Sequence, residues 1–362
     1  MLLSPSLDAR RDALNRSPTA FRRDILCAFN KGSAALNQEN TTNTVVQLAL
    51  MRGLLWRVPC RYGYHGRDRG DATTMRSKLF VPGARPDFFA KALASDADAI
   101  SFDLEDSVTE DGKDAARGAV AGFLLSDKTR DAIASSGKRI IVRVNALGSS
   151  HFAADIAALA LPDVALINLP KLHDPADVVT VATALEQAER AAGITRPIGL
   201  LVTIETPRAL RRAAEIATAH PRVAGLQLGL NDLFEALAID RQAPGNAHAV
   251  MLAMRLASGE GGAFAYDSAY PAIDDDAGFR REAEQARALG YLGKSCIHPR
   301  QVAIANALFG TQADALDEAR RIIAAADKAA LDGHGAFQFD GRMIDRPAIE
   351  RARAQLAVAE KR

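Results

Sequence analysis

The chain has 362 residues, 48% of them apolar and 25% charged, with a formal net charge of +1 at pH 7, a composition typical of globular proteins. That balance gives no electrostatic reason to expect a nucleic acid or a membrane surface as partner. Cys27, Cys60 and Cys296 are too widely spaced for a disulfide framework or a zinc pattern; a reduced, cytoplasmic setting is expected, with Cys296 read as a small buried apolar residue. The best apolar run, Val45 to Trp56, is broken by Arg52 and falls short of the ~20 residues that span a bilayer.

Residues 1–74 differ from the rest. They carry ten arginines against one lysine, the only tryptophan and two of the three cysteines. Short helices are expected near 8–30 and 44–56, and 62–71 reads as a linker. Asp8, Asp12 and Asp24 argue against an organelle-targeting peptide. The expectation is an N-terminal extension over 1–74 that is poorly ordered or not normally translated, with ordered patterning from Met75.

From there short β-prone runs alternate with Ala-rich helical segments, the pattern of strand–helix units around a parallel sheet. Strands are expected at Lys78–Val81, Ala97–Leu104, Arg139–Asn145, Val164–Pro170, Ile198–Glu205, Val223–Gly229, Gly262–Asp267 and Gly293–Ile297. Helices are expected near 86–95, 112–125, 151–160, 175–192, 207–219, 246–258, 278–289 and 299–308. Eight of each predicts a (β/α)8 TIM barrel over 75–310. No Gly-rich fingerprint follows the first strand, as a dinucleotide fold would want. A C-terminal lid, 311–362, would hold a helix at Ala313–Leu331, a Gly-bounded segment at Gly333–Asp345 and a helix from Pro347.

The polar residues fall at C-terminal strand ends, where barrel active sites are assembled. Asp103, Glu105 and Asp106 follow the second strand, Arg143 and Asn145 end the third, and Lys171 follows the fourth. Glu205 ends the fifth, Asn231 and Asp232 follow the sixth, Asp267 ends the seventh and His298 follows the eighth. Glu205 and Asp232 can meet across the mouth, where two carboxylates favour a cation, and few carboxylates with several other oxygens suit Mg2+; salt bridges to nearby Arg or Lys are the competing reading. Arg143, inside an apolar strand, needs a carboxylate partner, either a substrate's or a structural one such as Asp106. Lys113 and Arg117 are read as a structural network with the acidic run 103–106, and His298 as a shaper of its loop. Lys171 is left open as a reactive lysine.

Arg76–Gly83, Asp103–Val108 with Lys113 and Arg117, Val142–Asn145, Leu169–Lys171, Ile204–Thr206, Gly229–Leu233 and Gly293–Gln301 together resemble the HpcH/HpaI aldolase–citrate lyase superfamily, in its CitE-like branch of CoA-ester lyases. The resemblance spans Arg76 to about Leu356. It implies that Glu205 and Asp232 hold Mg2+, that Arg143 binds substrate and acts in catalysis, and that Phe80, Lys91, Ile297 and His298 contact the CoA thioester or 2-oxo acid, with Glu205 beside them. It further implies that Asp345 is catalytic in the site of a neighbouring subunit, and hence a homo-oligomer with shared sites. The expected reaction cleaves a 3-hydroxyacyl-CoA of the malyl-CoA or citramalyl-CoA type to acetyl-CoA and a 2-oxo acid, glyoxylate or pyruvate, or runs in reverse. Its rivals are a citrate lyase β-subunit-like component, a CoA-independent 2-oxo-acid aldolase, a malyl-CoA thioesterase and a non-catalytic oxo-acid-binding subunit. Many relatives have Ala-Glu where this chain has Leu230-Asn231 before the aspartate.

Overall fold

The computed structural model describes residues 75–360, apart from 244, 311, 312 and 332. The expected helices near 8–30 and 44–56, the linker, the order of 1–74, and Cys27 and Cys60 lie outside the described residues. Eight parallel strands run β1 (Ser77–Pro82), β2 (Ala99–Asp103), β3 (Arg139–Arg143), β4 (Val164–Leu169), β5 (Gly199–Ile204), β6 (Val223–Leu228), β7 (Phe264–Tyr266) and β8 (Lys294–Cys296). Each pairs with its sequence neighbour from β1 to β7, and β8 returns to β1. The last seam, β7 to β8, is a single parallel bridge from Asp267 to Lys294, with Asp267 N–H donating to Gly293 O at 2.9 Å and Ser295 N–H to Asp267 O at 3.1 Å. The barrel is thus nearly closed, with its helices outside.

The alternation expected from sequence is present at every strand; β1 is one residue longer at each end than expected, and the other strands end up to two residues short of the expected bounds, where the chain leaves the sheet for its loop. Helix Pro175–Ala192 shows how local chemistry sets the bounds. Asp174 and Asp177 form a reciprocal capping box, Pro175 fills the first turn and Gly193 closes the helix at φ 69°. Two helices went unexpected, Asp127–Ser136 and Leu230–Glu235. The first buries only Thr129 and Ile133, too thin a stripe to register as a helical period. The stretch 207–219 divides into Pro207–Arg211 and Ala213–Thr218.

Leu, Ile and Val from the strands' outer faces pack against the helices in one continuous core. Inside the barrel, Met75, Ala99, Ile141, Leu166, Leu201 and Tyr266 form a separate plug at the lower end. That plug leaves the upper interior to polar residues. Beyond the barrel, helix Ala313–Leu331 and helix Arg346–Glu360 flank a hairpin, β9 (Phe337–Phe339) and β10 (Arg342–Ile344). Its two-residue turn, Asp340-Gly341, has φ of 47° and 76°, as a type I′ turn requires. These elements share their own small core around Ile322, Ile344 and Ala352. No helix among the described residues is long and apolar enough to cross a membrane.

Candidate active site

A cavity of about 410 Å3 opens at the C-terminal ends of the strands. Every strand except β4, or the loop that follows it, contributes to its lining: Phe80 and Pro82 from β1, Asp103 and Asp106 from the β2 end, Arg143, Thr203 and Glu205, Gln227 through Asp232, and, from the loops after β7 and β8, Ser268, Ala269 and Ile297. Of the residues singled out by sequence, Phe80, Arg143, Glu205, Asp232 and Ile297 therefore meet in one place. His298 lies just outside the lining; its side chain accepts from Arg300 N–H and caps helix Pro299–Phe309, which matches the loop-shaping reading. Lys91 is exposed, with Nζ 5.9 Å from the Phe88 ring centre, and does not line the cavity. Asp345 sits at the end of β10 and does not line its own chain's cavity either.

Arg143 is engaged by carboxylates. Its Nε and Nη2 donate to the two Asp103 oxygens at 2.6 and 2.8 Å, and Nη1 lies 2.9 Å from Glu105 and 3.3 Å from Asp106. Burial opposes its charge, but Asp103, then Glu105 and Asp106, more than offset this and raise its pKa. For Asp103, burial is likewise outweighed by Arg143, which holds the carboxyl below its usual range. Of the two kinds of partner weighed for Arg143, the structural one is present: Asp103, Glu105 and Asp106 together engage all three guanidinium nitrogens, while the residue still lines the cavity. Lys113 Nζ donates to the carbonyls of Leu104 and Glu105 at 2.9 and 2.7 Å, fixing the acidic loop through its backbone. Arg117 turns away from that loop, to Asp155 and Asp114, because buried Asp155 is also needed to hold Asn145 at 2.7 Å.

Lys171 has left-handed backbone, φ 54°, a conformation that costs a non-glycine residue energy. That geometry aims its N–H at Glu205 Oε1, 2.5 Å away. Its Nζ pairs with Glu105 at 2.5 Å and Asp106 at 3.1 Å. Burial works against the ammonium, yet Glu105 and Asp106 prevail and raise its pKa, so the amine stays protonated and is no nucleophile.

Glu205 is 4% exposed, and its pKa is pushed up to about 8. Burial is the largest cause; Asp232 and Glu105 add to it and outweigh the Lys171 N–H and Arg143. Gly229 lets this carboxyl sit where it does: a Cβ there would lie 2.6 Å from Glu205 Cβ and 2.9 Å from Oε2. Around the mouth five carboxylates (Asp103, Glu105, Asp106, Glu205, Asp232) face two cationic groups (Arg143, Lys171), a formal excess of three negative charges. A buried acid forced toward its protonated form beside such an excess fits a divalent cation. Among the described residues no group of three or more His, Cys, Asp or Glu is arranged to enclose a metal. Two carboxylates leave most of the shell to water or ligand oxygens, the arrangement Mg2+ favours.

Sequence reasoning missed the support behind this rim. Arg241 donates to Asn231 Oδ1, to the Ala269 carbonyl at 2.9 Å and to Ser268 Oγ at 3.1 Å, tying together the loops after β6 and β7. Glu282 holds Arg241 at 2.7 Å and Lys294 at 3.0 Å, and Lys294 reaches Asp267 at 2.6 Å. Lys294 and Lys78 were detectable as charged residues inside strands, whereas Arg241 sits in a loop with no period to mark it. Cys296 is fully buried, and burial pushes its thiol up to about 12, as expected for an inert core residue.

A sequence profile of the HpcH/HpaI aldolase/citrate lyase family matches residues 76–299. The chain belongs to this family. It is accordingly an enzyme of the lyase class. Within the family it is 37% identical to citrate lyase subunit beta of Escherichia coli (strain K12) over 290 residues, 79% of this chain and 94% of that protein. It is 33% identical to the L-malyl-CoA/beta-methylmalyl-CoA lyase of Cereibacter sphaeroides over 306 residues, 79% of this chain and 94% of that one. Among solved family structures, CitE of Mycobacterium tuberculosis in complex with magnesium, acetoacetate and coenzyme A is 32% identical, with a TM-score of 0.63 over 80% of this chain and 99% of that one.

Proposed function

We propose that this protein is a Mg2+-dependent carbon–carbon lyase that cleaves a 3-hydroxyacyl-CoA of the malyl-CoA or citramalyl-CoA type to acetyl-CoA and a 2-oxo acid, or condenses them. The observation that carries the reading is Glu205, buried and driven up to about 8 beside Asp232 at the mouth of the cavity. The family's lyases and the magnesium, acetoacetate and coenzyme A held by the M. tuberculosis relative agree with it. In this reading residues 75–310 are the catalytic barrel, 311–362 a lid and 1–74 a non-catalytic extension.

Glu205 and Asp232 hold the cation. When bound, it supplies Lewis-acid polarisation of the oxo-acid carbonyl. The Lys171 N–H orients Glu205, and Gly229 leaves its carboxylate room. In the condensing direction a carboxylate takes a proton from the thioester methyl group, and the resulting carbanion forms the new bond to the oxo carbon. The carbonyl electron pair moves to oxygen, where the Arg143 guanidinium, which lines the cavity, stabilises the growing negative charge; protonation then gives the hydroxyl. Asp345 of a second copy is assigned as the base. It lies on a lid rather than in its own chain's cavity, and a lid that closes over a neighbour excludes water from a strongly basic carbanion. Phe80, Ile297, Lys91 and His298 form the route by which the CoA thioester approaches.

The test uses the full-length protein with Mg2+ against malyl-CoA, citramalyl-CoA and β-methylmalyl-CoA, following 2-oxo acid and free thiol together. Oxo acid released without thiol, and lost on EDTA treatment, is expected. Free thiol in its place would make the protein a thioesterase. Turnover of CoA-free aldols alone would make it an aldolase, and binding without turnover a subunit of a larger lyase.

A further inference from the structure

One layer beneath the carboxylate rim, the barrel interior holds polar side chains that neither cation nor CoA binding requires. Lys78, on β1, is fully buried. Its Nζ donates to Gln227 Oε1 and lies 4.1 Å from the Phe80 ring centre. Asn168 Nδ2 donates to the same Gln227 oxygen at 3.2 Å, and Thr203 Oγ1 donates to Asn168 Oδ1 at 2.8 Å. Gln227 is opposite Thr203 in the β5–β6 register, two residues below Gly229 and therefore directly under the Glu205 carboxyl.

These contacts fix which way the Gln227 amide faces. Its oxygen already takes two donors from below, so Nε2 with its two hydrogens is turned to the other side. Gln227 is 5% exposed and lines the cavity, and among the described residues Nε2 has no protein acceptor. Nε2 is not among the fully enclosed polar atoms that lack a partner and so is open to the cavity, and a ligand that covers it without bringing an oxygen strands the donor. Burial, then Arg143, lowers the Lys78 pKa well below its ordinary value.

We infer that Gln227 is a specificity residue, its amide held by Lys78 and Asn168 so that Nε2 donates a hydrogen bond to an oxygen on the side arm of the bound 2-oxo acid. The inference rests on the lyase reading. The carboxylate and oxo oxygens of such an acid are drawn to the rim by Arg143 and the cation, and the third substituent of the oxo carbon is what reaches the floor. The site therefore selects oxygenated arms over plain alkyl ones.

Pyruvate and hydroxypyruvate differ by one hydroxyl and make the measurement direct. Calorimetric binding of each to the full-length protein with saturating Mg2+ is expected to favour hydroxypyruvate by about ten- to hundredfold, the range set by one buried donor left paired or unpaired. In Gln227→Met, which keeps the volume and removes the donor, the ratio falls to near one. In Lys78→Met, which frees the amide to turn, it falls part of the way. Magnesium titrated alone into each variant, with its thermal midpoint, reports that the rim and fold are intact. Binding of both acids with no preference in the unaltered protein, or the same preference in Gln227→Met, overturns the inference and leaves the lyase reading standing. Failure of the unaltered protein to bind either acid with Mg2+ present overturns both.

Discussion

The barrel buries charge as well as apolar surface, whereas the segment beyond residue 312 buries only a small apolar core and leaves its ion pairs in solvent. Lys294 and Asp267 pair at 2.6 Å with side chains 0% and 1% exposed, while the tail's Arg321–Asp340 pair at 2.7 Å is 59% and 51% exposed. The two most exposed large apolar side chains among the described residues, Leu331 at 90% and Met343 at 77%, are also in the tail. Buried pairs hold geometry because breaking one strands a charge; exposed pairs contribute little. The barrel thus supplies a fixed rim, and the tail supplies a surface on which Leu331 and Met343 are uncovered within the chain.

The sharpest break of that contrast is at the rim. Glu205→Gln and Asp232→Ala are each expected to abolish calorimetric Mg2+ binding and turnover, while the fold remains. Glu205→Gln should also raise the thermal midpoint at pH 8, since it removes a carboxyl that burial and Asp232 make unfavourable when ionised. The same shift sets a pH dependence. With a pKa of about 8, Glu205 in the metal-free protein holds roughly 0.9 of a proton at pH 7, and Mg2+ must displace it. Apparent affinity should therefore fall about tenfold per pH unit below 8 and level off above it. Affinity flat from pH 6 to 9 would sink this assignment.

The tail should behave in the opposite way. Asp345→Ala is expected to lower kcat by about 10²–10⁴-fold, the usual range for a lost general base, with Mg2+ affinity and barrel stability unchanged. Mixing inactive Asp345→Ala with inactive Arg143→Ala protein should restore part of the activity. Confirmed mixed oligomers that stay inactive would rule out a base acting between subunits.

A smaller effect is expected behind the rim. Arg241→Met removes the donors to Asn231, Ser268 and the Ala269 carbonyl, and should weaken Mg2+ binding by about 10–100-fold, as losses one layer from a metal do. Unchanged affinity would mean that the loop bearing Asp232 holds its shape without Arg241.

This division explains what the sequence revealed. Strand–helix alternation exposed the barrel because period-2 and period-3.6 patterns are written in local order. The rim was legible for a related reason: residues such as Glu205 and Asp232 fall at strand ends, and the barrel gathers all strand ends on one face. The roles of the supporting residues were not legible, even where a charged residue inside a strand (Lys78, Lys294) stood out, because their meaning is a pairing across distant segments. Arg241 meets Glu282, and Lys78 meets Gln227, at separations no window spans. Helix Asp127–Ser136 escaped because two buried side chains make no visible stripe, and the hairpin at 337–344 because its signal is the Asp340-Gly341 turn between very short strands.

The smallest expected effect is the one that decides what the tail is for. Met343 is on β10, two residues before Asp345, with its side chain in solvent. In an isolated chain Met343→Ser should change stability by no more than about 0.5 kcal/mol, as substitutions at exposed positions do. If the hairpin instead carries Asp345 onto a second copy, Met343 is buried there, and the same change removes apolar contact only in the assembly. Sedimentation over a concentration series should then show weaker association for Met343→Ser, with kcat falling at low protein concentration and recovering at high. A variant that associates normally and loses no activity on dilution would show that Met343 stays in solvent, and would leave the hairpin without a docking role.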